Sequence, residues 1–376
     1  MNLEFSDEQS LLRDSVARFV KERYSLERRN ASIRSEPGFG TDNWRAMSEL
    51  GWLSLPFGEA DGGLGGTQLE TMIVMEQFGK GLVVEPFFAS IVLGGGALKR
   101  GGSQALKDKL LPGVMEGSVQ LALAHAEEQA RFDLENVAAT ARPAGDGFTL
   151  NGAKSFVLNA GSATHLVVSA RTSGEPSDRR GISLFIVDAR SGGVKLQSYP
   201  TVDGLRAAEV TFTDVHVPRN NVLATLDEGF AILNEVANDA ILALSAEALG
   251  AMEVLYQDTV QYTQQRVQFN HPLADFQVLQ HRMVEMFMEY ELARSLLYRA
   301  TMEVSQGAPQ AQQSVHALKY LIGKAGAFVA ENAVQLHGGM GMTEELRVGH
   351  FFKRLLVIDL QFGNGDYHLR KFAAGY

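Results

Sequence analysis

Two short segments near the C-terminal end carry residue types suited to binding an anion. In QYTQQRVQFNHPLADFQVLQH, Arg266, Gln268 and Phe269 stand at the end of a long helical pattern, just before a Pro-containing turn. In VQLHGGMGMTEE, Gln335 precedes Gly338, Gly339 and Gly341 where a second long helical pattern breaks. A glycine inside a helix costs about 1 kcal/mol relative to alanine, so a cluster of them needs a reason. One reason is a bare backbone that lets a diphosphate approach closely, with Arg266 neutralising its charge. The plainer reason is a glycine helix cap beside a surface arginine, which satisfies either segment taken alone.

Other chemistry is excluded. The chain has 376 residues and no Cys, so it has no disulfide framework, thiolate metal site, iron–sulfur cluster or cysteine nucleophile. No strand–GxGxxG–helix unit, GxxxxGK[ST], GxSxG or HExxH occurs, and LGGGALKRGG lacks the strand that a dinucleotide loop requires. His271, His281, His316, His337, His350 and His368 are scattered without ligand spacing, which predicts no metal centre. His337 stands out only for the glycines that follow it. Lys and Arg number 34 against 44 Asp and Glu, a net charge of −10 that argues against nucleic acid as the main partner. No apolar run approaches the roughly 20 residues of a membrane span, and Met1 to Arg13 reads as a mixed-charge helix, not a signal peptide. A soluble, cytoplasmic protein is expected.

The elements that must position those segments fall into three zones, with expected domains at 1–118, 119–224 and 225–376. Leu11, Leu12, Val16, Phe19 and Val20 recur at helical spacing behind Ser6, a candidate N-cap. Helices are expected from Asp42 and through Leu69–Lys80, Ile91–Lys99 and Ser103–Met115, with a Gly-rich loop at Gly58–Gly66. From Val119 to Leu223, short Val-, Thr- and Phe-rich runs cut by Gly, Asp and Ser predict a compact β domain. Long helical periods then return through Phe230–Val267, Leu279–Gln306 and Ala311–Leu336, which together predict a bundle.

Taken together, the segments resemble the acyl-CoA dehydrogenase family over nearly the whole chain. The Arg-x-x-Phe turn, followed some seventy residues later by QLHGGMGMTEE, is similar to that family's FAD-binding signature. RAAEVTFTDVHVPRNNVL resembles its end-of-barrel segment, and ELGWLSLPFGEADGGLGG its N-domain loop. The resemblance implies an α+β fold: an N-terminal helical domain, a middle β-barrel and a C-terminal four-helix bundle. It also implies FAD, held partly by Arg266, Phe269, Gln335, Gly338 and Gly339 of a neighbouring subunit, with Phe156 beside the flavin. The implied reaction oxidises an acyl-CoA thioester to the 2-enoyl-CoA. A carboxylate takes the α-proton while the β-hydrogen leaves as hydride.

The departures from the family pattern cluster at the reacting end. Counting from Gln335 places Gln361, Phe362, Gly363 and Asn364 at the usual base loop, with Phe362 in the place of the carboxylate. The alternative base position on the first bundle helix is Ala240, followed by Ile241 where arginine is common. The flavin-side Thr-Glu-Pro-x-Ala-Gly-Ser-Asp segment aligns with Ala126 to Asp133, keeping only Glu127, Ala130 and Asp133, and Trp-x-Thr aligns with Phe156 and Leu158. The half-site given to a neighbour is therefore intact and the chain's own half is eroded. This resembles the smaller, degenerate subunit of heteromeric members such as pimeloyl-CoA dehydrogenase. It implies a second acyl-CoA dehydrogenase-like subunit, a dimeric or tetrameric assembly and an electron-transfer flavoprotein as acceptor. Two carboxylates keep a self-sufficient homo-oligomeric dehydrogenase open. Asp239 adjoins Ala240, and Glu247 lies on the same helix face two turns along, so either could serve as a displaced base. The simpler roles are a solvated helix residue for Asp239 and a buried, ion-paired residue for Glu247. A flavin oxidase or monooxygenase on the same fold is the third reading.

Overall fold

A computed structural model describes residues 5–375. The first four residues of the expected N-terminal helix lie outside that range. The described chain divides into two compact units that interleave along the sequence. One comprises Met1–Ala31, Thr67–Val83 and Ile241–Tyr376; the other comprises Ser32–Gly66 and Val84–Ala240.

The early helices are set by their caps. Helix α1 (Asp7–Arg23) starts at Ser6, whose hydroxyl accepts from Gln9 N while the Gln9 side chain returns to the Ser6 amide. Helices α2 (Leu26–Arg34) and α3 (Thr41–Glu49) follow, and α4 (Gln68–Gly81) opens with a second capping box, Thr67 with Glu70. The helix expected over Ile91–Lys99 is a π-helical stretch, Phe87–Gly95, that passes into α5 (Gly96–Gly101); α6 (Gln104–Glu116) follows. The apolar pattern reports burial of a helical segment, not its pitch, so the wider turn was not legible.

The β zone contains β1 (Leu121–Ala124), β2 (Thr140–Ala144), β3 (Gly147–Leu158), β4 (His165–Arg171), β5 (Ile182–Asp188), β6 (Val194–Pro200), β7 (Arg206–Pro218) and β8 (Val222–Leu223). Pairing follows the order β6–β7–β3–β2–β4–β5–β8, with β1 parallel to β4 off that path. Alternate residues of β3 and β7, among them Phe148, Leu150, Val210, Phe212 and Val215, enter one core shared with Leu166, Val168 and Phe185. The register of β3 against β7 shifts between Lys154 and Val157, so Ser155 and Phe156 sit in a bulge.

Helix α7 (Gly229–Gln265) is 37 residues long, roughly 55 Å at 1.5 Å per residue. It ends in a tight hairpin, β9 (Val267–Gln268) with β10 (His271–Pro272). The bundle continues with α8 (Gln277–Ser305), α9 (Ala311–His337), α10 (Arg347–Leu360) and α11 (Gly365–Ala374). Helices α4 and α7 approach closely at two glycines. A Cβ on Gly79 would lie 2.0 Å from the Glu247 carbonyl oxygen, and one on Gly250 would lie 1.9 Å from that of Glu76. Among the described residues no helix is long and apolar enough to cross a membrane.

Candidate cofactor and substrate site

In the bundle, the two anion-binding segments are brought together by a ring contact. Tyr262, one turn before Arg266 on α7, stacks on His337 at the end of α9, with centroids 4.3 Å apart. His337 is itself buried and bonds through Nδ1 to the Ala333 carbonyl at 2.8 Å. It is therefore a strut between the segments. A cleft of about 510 Å³ runs between them, lined by Tyr262, Gln265, His337, Met340 and Arg347 among others.

Around that junction the candidate residues are presented outward. Arg266 and Gln335 are exposed. Phe269 is 85 % exposed, and Phe269 and Asn270 both have positive φ (54° and 64°) as the two central residues of the hairpin turn. Such a turn ordinarily takes Asn-Gly; a phenylalanine there is strained and gains nothing from its own chain's core. The glycine loop is equally telling. Gly338 has φ 60° and ψ −142°, a conformation that needs glycine, and a Cβ on either Gly338 or Gly339 would meet nothing within 4 Å. At Gly339 neither backbone strain nor internal packing demands a glycine. A cation, an unsupported aromatic face and a bare stretch of backbone on one surface fit a flavin dinucleotide's diphosphate and ring systems.

In the β unit, Phe156 is 37 % exposed at φ 51° within the bulge of β3. Its amide donates to Glu209 at 3.3 Å, and Glu209 also accepts from the Tyr199 hydroxyl at 2.9 Å. The bulge thus turns a flat ring outward from the strand. Behind the aligned Ala126–Asp133 loop lies a group that the sequence reading missed. Lys154 is buried, and its Nζ donates to Glu127 at 2.6 Å and to Ser169 Oγ at 2.9 Å. Glu127 also accepts from the Ala138 amide at 2.9 Å. Burial opposes ionisation of Glu127, but the Lys154 charge and these hydrogen bonds outweigh it and hold the carboxyl below its ordinary range. The signal available was a lysine inside an otherwise apolar strand. At the far side of the loop, Arg131 has φ 52° and ψ −102°, a backbone shape that normally belongs to glycine. The loop keeps a glycine's geometry although its side chains have changed.

The two candidate bases are both occupied. Asp239 accepts from Arg100 Nη2 at 2.6 Å, and the same guanidinium bonds Glu235 at 2.9 Å. Asp239 is partly buried rather than solvated, which corrects the simpler expectation: Arg100 of α5 reaches over it. Glu247 is 5 % exposed and Arg354 is 3 % exposed; Nε and Nη2 of Arg354 each reach one Glu247 oxygen at 2.6 Å. A bidentate arginine satisfies both oxygens of Glu247 and leaves little reason for it to take a substrate proton. Among the described residues no group of three or more His, Asp or Glu is placed to hold a metal ion.

Comparison with known proteins agrees with this geometry. Residues 6–118, 122–215 and 227–376 match the N-terminal, middle and C-terminal domains of acyl-CoA dehydrogenase, respectively. The short-chain specific acyl-CoA dehydrogenase of Megasphaera elsdenii is 30 % identical over 333 residues, 86 % of each chain. The FAD complex of PigA superposes with a TM-score of 0.93 at 26 % identity, covering 100 % of this chain and 99 % of that one. A steroid acyl-CoA dehydrogenase variant, Tcur3481–Tcur3483, gives 0.88 at 27 % identity, covering 98 % and 97 %.

Proposed function

This chain belongs to the acyl-CoA dehydrogenase family, and from that premise we propose that it serves as the FAD-associated, catalytically degenerate subunit of a heteromeric acyl-CoA dehydrogenase. The observation that carries the reading is a contrast within one chain. Arg266, Phe269, Gln335, Gly338 and Gly339 are exposed and directed away from their own core, while the two base positions hold Phe362 and Ala240. FAD, when bound, supplies the hydride acceptor for oxidation of the thioester's Cα–Cβ bond. Arg266 would neutralise the diphosphate, Gly338 and Gly339 would admit it against the backbone, and Phe269 would cover a flat ring. Phe156 would border the isoalloxazine on the chain that owns the flavin.

Asp239 and Glu247 serve structure in this reading, because each already answers an arginine. The three-domain division at 1–118, 119–224 and 225–376 follows the family's layout. An exposed apolar row on α8, Val284, Phe287, Met288 and Leu292, suits burial against another subunit. The acyl-CoA substrate, the dehydrogenase-like partner and an electron-transfer flavoprotein acceptor belong to the same proposal, as does a cytoplasmic setting.

The deciding experiment is flavin absorbance against protein in the assembled complex. One FAD per two chains is expected, since only the partner's flavin-side groups are complete. One FAD per chain would show that this chain's own half-site works and would replace the degenerate-subunit reading.

A further inference from the structure

At the end of α10 the protein buries an amide that it does not use. Gln361 is 6 % exposed, and neither Oε1 nor Nε2 has a hydrogen-bond partner in the protein. Both atoms are shielded from solvent, so an amide here destabilises the fold relative to an apolar side chain of the same size.

Its place in the bundle is well defined. Arg347, Arg354 and Gln361 recur every seven residues and so share one face of α10. Arg347 pairs with Asp258 of α7 at 2.6 Å, and Arg354 with Glu247. Moving forward on α10 moves backward on α7, so the helices run antiparallel and Gln361 continues a polar row whose first two members are satisfied.

The backbone around Gln361 cannot shift to relieve it. Lys319 is fully buried, and its Nζ donates to the carbonyls of Ile358 (2.9 Å), Asp359 (2.8 Å) and Gly363 (2.8 Å). His368 Nε2 donates to the Phe362 carbonyl at 2.8 Å, which leaves its Nδ1 to accept from His316 Nδ1 at 2.9 Å. Asn364 caps α11 through Tyr367 N. Phe362 is held at φ 56° and Gly363 at φ 105°. The polar backbone of this strained turn is secured from α9 and α11, and the amide on its α10 side is not.

The geometry points to Gln361 as a recognition group for a hydroxyl on the acyl chain, a reading that rests on the acyl-CoA assignment above. A primary amide presents a donor and an acceptor side by side, and a single hydroxyl can donate to Oε1 while accepting from Nε2. A ketone or thioester oxygen would satisfy Nε2 alone, and an alkyl chain neither. The three side-chain torsions of glutamine allow the amide to turn toward an arriving chain while the turn stays fixed. The role is one of binding and selectivity, and it needs no base at Phe362.

The test is calorimetric titration of the assembled protein with butyryl-CoA and its 2-, 3- and 4-hydroxy forms, for wild type and Gln361→Leu. Wild type should prefer at least one hydroxy form by about tenfold, as one or two added neutral hydrogen bonds imply. Gln361→Leu should abolish that preference and raise the melting temperature of the protein without ligand. Equal affinity for all four compounds, or a preference that survives in Gln361→Leu, overturns the inference. So does a lower melting temperature, which would mean that the amide is already paired. Failure to bind any of the four removes the acyl-CoA reading beneath it and is told apart by that pattern.

Discussion

Replacing Glu247 separates a structural carboxylate from a catalytic one. Glu247 and Arg354 are almost fully buried and joined by two 2.6 Å contacts. Removing one member of such a pair typically costs about 3–5 kcal/mol, because a buried charge loses its counter-ion. Replacing both with apolar groups of similar volume is often neutral. Glu247→Leu and Arg354→Met should therefore each destabilise by about 3–5 kcal/mol, while the double variant recovers most of the loss. The expected coupling of about 2–4 kcal/mol lies well above the roughly 0.5 kcal/mol scatter of independent sites. Urea unfolding of the four proteins, compared at equal slope, measures it. Singles costing under about 1 kcal/mol, with turnover lost in Glu247→Leu, would refute the structural role and revive Glu247 as the base.

Arg266→Ala should weaken flavin retention in the assembled complex by roughly 1.5–3 kcal/mol, the worth of a charge-assisted contact; unaltered FAD affinity would remove the diphosphate role from Arg266. Asp239→Asn should cost only about 1 kcal/mol, because Arg100 keeps Glu235, and it should leave turnover of the complex intact. Lost turnover at unchanged stability would instead make Asp239 a base. Acid should destabilise the bundle through His316 and His368. Burial lowers their pKa values to about 4 and about 3, and the neighbouring Lys371 acts in the same direction. The unfolded chain takes up these protons first as pH falls below about 6.5, so the stability they contribute is complete above that value and is lost on the way down to about pH 4. His316→Gln should flatten the melting temperature's fall over that window, and an unchanged slope would exclude the pair as its cause.

The order of helices, strands and bundle was legible because apolar periodicity records which residues face a core. Ser6 announced its cap, and alternation along β3 and β7 announced a one-sided sheet. The binding half-site was legible for a different reason. Gly338, Gly339 and the turn bearing Phe269 break local propensity without an internal cause, so they show in sequence as anomalies. What the sequence left open for Asp239 and Glu247 turned on their partners. Arg100 lies 139 residues from Asp239, and Arg354 lies 107 residues from Glu247. No local pattern encodes such a meeting, and tertiary packing alone assigned these carboxylates to arginines. The buried Lys154 and Lys319, and the unpaired amide of Gln361, belong to the same class. A polar side chain reads alike in sequence whether water, a carbonyl or nothing surrounds it, and its burial is a property of the folded chain.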